Sequence, residues 1–175
     1  MAIGVDVRKH GDGNPGAYNA FKAGNVFLGL ITLILDISKA AAPVGLAYFN
    51  LNIRGLSMFF IAIAPVLGHV FSPFLRFKGG KGLATVLGVW IGMTIWKASL
   101  SGVVFATIGV LLFSPPGWSV VLALGAILTT LLLWLPDPLM VGIWIAVTII
   151  LVWTHRKDLL RPPKLRPWVK RIFQR

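Results

Sequence analysis

The chain has 175 residues, of which 57% are apolar and only 13% charged, against about 45–50% and about 25% in soluble domains. A soluble globule of this size keeps roughly a third of its surface in water, and so few charges cannot cover it. With a mean hydropathy of +0.83, a water-soluble domain is excluded. The charge is lopsided, with 17 Lys or Arg against 5 acidic residues, all Asp, for a net +12.

That balance would suggest nucleic acid in a soluble protein. Here the basic residues lie between long apolar segments or at one end, which is the positive-inside pattern of a membrane protein. No nucleic-acid partner is expected. The absence of cysteine excludes a disulfide framework, a thiol nucleophile and a thiolate metal site. The three histidines, at 10, 69 and 155, are far apart in sequence, and no metal is expected.

The first 25 residues are polar and glycine-rich, with Gly11, Asp12, Gly13, Asn14, Pro15 and Gly16 in a row, and they do not read as a signal peptide. Six apolar segments follow. The first, Val26 to Phe49, contains Asp36 and Lys39, and the second, Leu56 to Phe71, carries Pro65 and His69. The third begins in the GKGLAT stretch and continues to Trp96, and the fourth runs from about Ala98 to Phe113. The fifth is Trp118 to Leu135 and the sixth Leu139 to Trp153. The middle segments fall short of the roughly 20 residues of a straight span, so tilted, re-entrant or loop-extended geometries remain open. A basic tail closes the chain. It reads either as a partly disordered topogenic segment or as a surface amphipath with Trp168, Ile172 and Phe173 in the interface.

The expected fold class is an all-α polytopic integral membrane protein of about six transmembrane helices with short cytoplasmic motif loops. It is expected to form one membrane domain over 1–175. That domain comprises a cytoplasmic segment 1–25, helices over 26–153 with a loop at 68–85, and a cytoplasmic tail 154–175. One side of such a bundle holds Arg8, Lys9, Lys22, Arg76, Lys78, Lys81 and the eight basic residues from Arg156 to Arg175. The other holds Arg54 and Lys97. The basic side is expected to be cytoplasmic, with both termini on it.

Three stretches on that side combine glycine or amide residues with cations: RKHGDGNPGAYNAFK (Arg8 to Lys22), GHVFSPFLRFKGGKGLAT (Gly68 to Thr85) and HRKDLLR (His155 to Arg161). Glycines let backbone N–H groups turn toward an anion, and Lys81 places a point charge where a helix begins. A tight turn before a span explains GGKG alone almost as well as a phosphate site does. Taken whole, the second stretch is specific.

It resembles the central signature of the bacterial acyl-phosphate:glycerol-3-phosphate acyltransferases, the PlsY family, whose pattern is roughly GHxFxxFLxFKGGKGxAT. The matching positions are Gly68, His69, Phe71, Phe74, Leu75, Phe77 to Gly82, Ala84 and Thr85. The first stretch is similar to the family motif GSGNxGAxN, and the third to HRxNxxR. Asp36 and Lys39 fall where such proteins carry D-x-x-K. The resemblance covers nearly the whole chain in the right order.

It implies transfer of a fatty acyl group from acyl phosphate to the sn-1 hydroxyl of glycerol 3-phosphate, giving lysophosphatidic acid, in the bacterial cytoplasmic membrane. The implied partners are those two substrates and membrane lipids; the oligomeric state is left open. Acyl phosphate is an activated mixed anhydride, so alignment of the hydroxyl and stabilisation of the leaving phosphate suffice, and no cofactor is expected. The resemblance further implies that Lys81 and the backbone around Lys78, Gly79, Gly80 and Gly82, with Thr85, hold phosphate. Asp12, Gly13, Asn14, Gly16, Asn19 and Lys22 would build the opposite wall. His69 or His155 would orient or deprotonate the hydroxyl, unless the acyl phosphate's own oxygens serve as base. Asp36 and Lys39 share a helix face, and intramembrane charges face each other or a cavity. A structural pair and a role beside the site are both open.

The chain departs from the family pattern at several positions. Asp12 stands in place of Ser, Tyr18 in place of Thr, Lys22 in place of Arg and Asp158 in place of Asn. Pro162, Pro163 and Leu165 lie where Gly and Glu follow the third motif, and the usual first transmembrane segment is not found, leaving six spans where such proteins have seven. These departures sustain a second reading, a non-catalytic or transport-like paralogue of the same fold.

Overall fold

The structure is a computed structural model and describes residues 9, 11 and 13–173. Six apolar helices dominate it: α2 (Val26–Gly45), α3 (Gly55–Val70), α4 (Leu83–Thr94), α5 (Lys97–Leu112), α6 (Gly117–Trp134) and α7 (Pro138–Leu159). A short helix precedes them, α1 (Ala17–Lys22), and another closes the chain, α8 (Pro167–Phe173). Among the described residues, four are long and apolar enough to cross a membrane: Val26–Asn50, Gly55–Leu75, Gly117–Trp134 and Pro138–Leu159. The surface is inverted relative to a soluble protein, with Phe27, Leu30, Ile34, Leu35, Phe60, Leu133 and Ile149 exposed along the helices. The chain is a multi-pass α-helical membrane protein, as its composition requires.

Local chemistry sets the helix starts. Asn25 caps α2 by accepting the Leu28 N–H at 2.8 Å, and Asp137 caps α7 by accepting that of Leu139 at 2.8 Å, with Pro138 at the first helical position. Beyond Gly45, α2 widens into a π-helical turn, Leu46–Asn50.

Helix α4 has only 12 residues, about 18 Å at an α-helical rise, and its sequence shows why that suffices. Nine of those residues are buried, including Trp90 and Met93, so α4 is the central helix of the bundle. Gly88 and Gly92 let α2 approach backbone to backbone. A methyl at Gly88 would meet the Ile37 carbonyl oxygen at 2.3 Å, and one at Gly92 would meet Val44 Cγ1 at 2.8 Å and Gly45 N at 2.9 Å. This is small-residue helix packing, in which contact rather than water release supplies the attraction. On the far side, Gly109 of α5 receives Ser119 of α6 in the same manner, a methyl there meeting Ser119 Cα at 2.6 Å.

The structure differs from the sequence-based expectation in three places. Helix α7 continues six residues past Trp153 to Leu159, because nothing breaks helix geometry before Pro162 and Pro163. The third motif is therefore the last part of a helix rather than a loop. Part of the first motif is also helical, as α1. The tail docks: Lys164–Leu165 pairs antiparallel with Phe113–Ser114, a two-residue ladder in an otherwise helical protein. Arg166 N–H donates to the Leu112 carbonyl at 2.9 Å and Trp168 Nε1 to that of Leu111 at 3.1 Å. These are carbonyls at the end of α5 that lack helical partners, and the tail supplies donors for them. Val169 is buried, whereas Trp168 is half exposed; the side chains of Ile172 and Phe173 lie outside the described residues.

Candidate active site

The three motifs converge on the backbone of Lys81. The Asn14 carboxamide, in the orientation that satisfies both its ends, donates through Nδ2 to the Gly79 carbonyl at 2.8 Å and accepts the Lys81 N–H at 3.0 Å. Asn19 Nδ2 donates to the Asn14 carbonyl at 2.8 Å, tying α1 to the same point. From the other side, Thr154 Oγ1 donates to the Lys81 carbonyl at 2.9 Å. Lys81 is thus clamped by the first motif through its N–H and by α7 through its C=O. Its side chain reaches Asp158, with Nζ 3.2 Å from Oδ2.

A cavity of about 250 Å³ opens at this junction. Asn14, Gly16 and Asn19 line it from the first motif, Lys81, Gly82 and Ala84 from the start of α4, and His155 with Asp158 from α7. The last two are three residues apart, so they share a helix face. His155 is buried, and its Nδ1–H donates to the Leu151 carbonyl at 2.9 Å. Gly82 caps α4 with φ +91°, a left-handed conformation suited to glycine. The positive end of α4 and the Lys81 ammonium therefore adjoin one small chamber.

His69, at the end of α3, forms part of the wall between this chamber and a second cavity of about 580 Å³. Gly16, Asp36 and His69 line both. The intramembrane pair belongs to this wall. Lys39 Nζ lies 2.7 Å from Asp36 Oδ1 and donates to His69 Nδ1, while Asp36 Oδ1 stands 3.4 Å from the same nitrogen. Neutralising each other within an apolar helix, Asp36 and Lys39 also fix the His69 ring. Its Nε2 edge then abuts Gly80, where a methyl would meet Nε2 at 2.0 Å. A methyl at Gly79 would meet the His69 carbonyl oxygen at 1.8 Å. The double glycine makes room for this histidine.

Not every expected residue reaches the cavities. The Gly79 N–H is committed to the Val70 carbonyl at 3.0 Å. Lys78 is exposed and lines neither cavity. Thr85 is fully buried within α4 and lines neither, and its hydroxyl has no hydrogen-bond partner among the described residues. Lys22 sits at the end of α1 with its ammonium 4.9 Å from the centre of the Tyr18 ring, outside the described lining of both. Gly13 also lies outside it, and Asp12 is not among the described residues. Conversely, Tyr18, Gly117, Ser119 and Asp158 line the smaller cavity without having been picked out as site residues. For Asp158 the signal was present in the third motif. Gly117 and Ser119 carry no motif and enter only because α6 starts beside α7. No cluster of three or more His or Asp side chains suited to a metal occurs among the described residues.

A family profile described as Glycerol-3-phosphate acyltransferase matches residues 1–162. The chain belongs to that family. A glycerol-3-phosphate acyltransferase from Geotalea daltonii is 35% identical over 99% of this chain and 87% of its own length. One from Desulfovibrio desulfuricans is 33% identical over 95% and 74%. Among solved structures, the crystal structure of PlsY, an integral membrane glycerol 3-phosphate acyltransferase, superposes in its glycerol 3-phosphate form with a TM-score of 0.83. It is 28% identical, covering 91% of this chain and 80% of that one. Its lysophosphatidic acid form gives 0.78 at 26% identity, over 86% and 76%. In the family member described here, the motifs that carry the resemblance are the segments packed around Lys81.

Proposed function

We propose that this chain is an acyltransferase that moves a fatty acyl group from acyl phosphate to the sn-1 hydroxyl of glycerol 3-phosphate, releasing phosphate and lysophosphatidic acid, at the chamber beside Lys81. The observation that carries this reading is the clamp on Lys81, which brings segments from residue 14 to residue 158 onto one partly enclosed pocket that holds the Lys81 ammonium. Two phosphorylated substrates need such a charge, and an acyl chain needs the apolar surroundings of a membrane-embedded wall. The chemistry asks for no covalent enzyme intermediate. The hydroxyl oxygen attacks the acyl carbonyl carbon, the carbon–oxygen bond to phosphate breaks, and the hydroxyl proton leaves to a base. Lys81 and the start of α4 stabilise charge on the departing phosphate. His69, held by Asp36 and Lys39, and His155, held through Nδ1, are the imidazoles positioned to orient the acceptor or take its proton.

The donor distinguishes this reading from other acyl transfers. Purified protein in lipid vesicles is expected to form lysophosphatidic acid from acyl phosphate and glycerol 3-phosphate, and not from an acyl thioester. Product from the thioester alone would rule the acyl-phosphate donor out, and product from neither donor would rule the reading out in favour of the non-catalytic alternative.

The same reading places the chain in a bacterial cytoplasmic membrane with both termini inside, on the basis of the excess of basic residues on the motif side. Single cysteines introduced at Arg54 and Lys97 in intact cells are expected to react with a membrane-impermeant maleimide, and one at Lys157 to react only after permeabilisation. The opposite pattern would invert the topology.

A further inference from the structure

Among the described residues, the chamber proposed to take phosphorylated substrates is lined by one lysine, Lys81, and two aspartates, Asp36 and Asp158. Asp36 has a cation of its own in Lys39. Asp158 instead pairs with Lys81 itself, the side chains being 19% and 27% exposed. Its place is built into the fold. A methyl at Gly117, the first residue of α6, would meet Asp158 Cβ at 2.5 Å and Oδ2 at 3.3 Å. Asp158 Cβ thus fills the space left by glycine, which sets the carboxylate beside the positive end of an 18-residue helix. An anion that takes up Lys81 Nζ, at about 2.8 Å for a charge-assisted bond, must share that ammonium with a carboxylate already 3.2 Å from it. The like charges then stand within about 6 Å of each other, close enough to oppose binding in a part-enclosed site.

We propose that Asp158 is a specificity-determining residue of this chamber: its carboxylate competes with substrate phosphate for Lys81 and biases the site toward phosphates of lower negative charge. Repulsion from one carboxylate scales with the charge on the ligand, so a dianion is disfavoured more than a monoanion. The inference rests on the reading above that phosphate binds at Lys81.

Calorimetric titration of the detergent-solubilised protein tests it, with glycerol 3-phosphate as the dianion and its phosphate monomethyl ester as the monoanion at pH 7.5. Asp158→Asn, an isosteric change, is expected to tighten glycerol 3-phosphate by about tenfold and the methyl ester by clearly less, with the difference shrinking as salt is raised. Gly117→Ala, whose methyl displaces Asp158, should move the ratio of the two affinities the same way, and it serves as the test should Asp158→Asn fail to fold. An unchanged ratio, weaker binding of both ligands, or no measurable binding to any form would overturn the proposal. Binding and turnover separate the two readings. A wild type that transfers acyl groups but shows an unchanged ratio in the variants defeats this inference and leaves the function standing; a shifted ratio in a protein that transfers nothing does the reverse.

Discussion

Lys81→Ala is expected to lower kcat/KM for acyl transfer to glycerol 3-phosphate by at least about a hundredfold, in keeping with the loss of one preorganised group that stabilises transition-state charge. The effect should fall on chemistry rather than folding. The interactions that anchor this residue run through its backbone, from Asn14 and Thr154, and an alanine keeps both. What disappears is the ammonium, and with it the partner of Asp158, so the variant leaves an uncompensated carboxylate in the chamber as well as an unstabilised leaving group. Lys97→Ala, at the exposed start of α5 near the opposite end of α4, is the control and should stay near wild-type activity. The measurement is lysophosphatidic acid formation in vesicles, with the thermal unfolding midpoint recorded for each variant. Equal activity in the two variants would remove Lys81 from the reaction.

The second large effect is expected at the double glycine, where the two positions should fail differently. Gly79→Ala drives a methyl into the His69 carbonyl oxygen, at 1.8 Å, and the Val70 carbonyl oxygen, at 2.8 Å. These are backbone atoms at the end of α3, and the loop must move away, giving up the Gly79 N–H bond to Val70. Overpacking of this kind costs about 1–3 kcal/mol, and the loss of a buried hydrogen bond adds about 1 kcal/mol. Gly79→Ala should therefore lower the unfolding midpoint as well as activity. Gly80→Ala meets the imidazole of His69 instead, a side chain that can rotate if it leaves Asp36 and Lys39. This variant should hold its midpoint better while losing about tenfold or more in kcat/KM through a misplaced histidine. In a His69→Ala background the Gly80 substitution should have little further effect on rate. If it still lowers the rate tenfold there, Gly80 acts through something other than His69.

Both predictions involve residues that stand together in sequence but whose roles are set from elsewhere in the fold. The GGKG stretch reads as a phosphate turn, because glycine, lysine and a following apolar run are a local pattern. Folding assigns different tasks within it. Gly79 and Gly80 admit His69, Gly82 adopts the left-handed cap of α4, and only Lys81 sends charge into the chamber. The fold class and the six apolar segments were legible for a related reason. Partition into a membrane is decided segment by segment from hydropathy, and Gly, Pro and charge mark where each segment stops. The converging motifs were legible as well, since each is a contiguous run of residues.

Relations between distant residues were not legible. Lys81 and Asp158 are 77 positions apart, and Asp158 is placed by the missing side chain of Gly117 on a third helix. Asp36 and Lys39 could be read as a pair from their spacing, but their joint hold on His69, 30 residues further on, depends on α2 lying against α3. The tail could be read either as disordered or as an amphipath, because its residues are compatible with both. The choice was made by the carbonyls of Leu111 and Leu112 at the end of α5, which need donors that Trp168 and Arg166 provide. Helix propensity, hydropathy and turn chemistry act over a few neighbouring residues. Shape complementarity, ion pairing and the satisfaction of exposed helix ends act between segments, and those interactions exist only once the helices are packed.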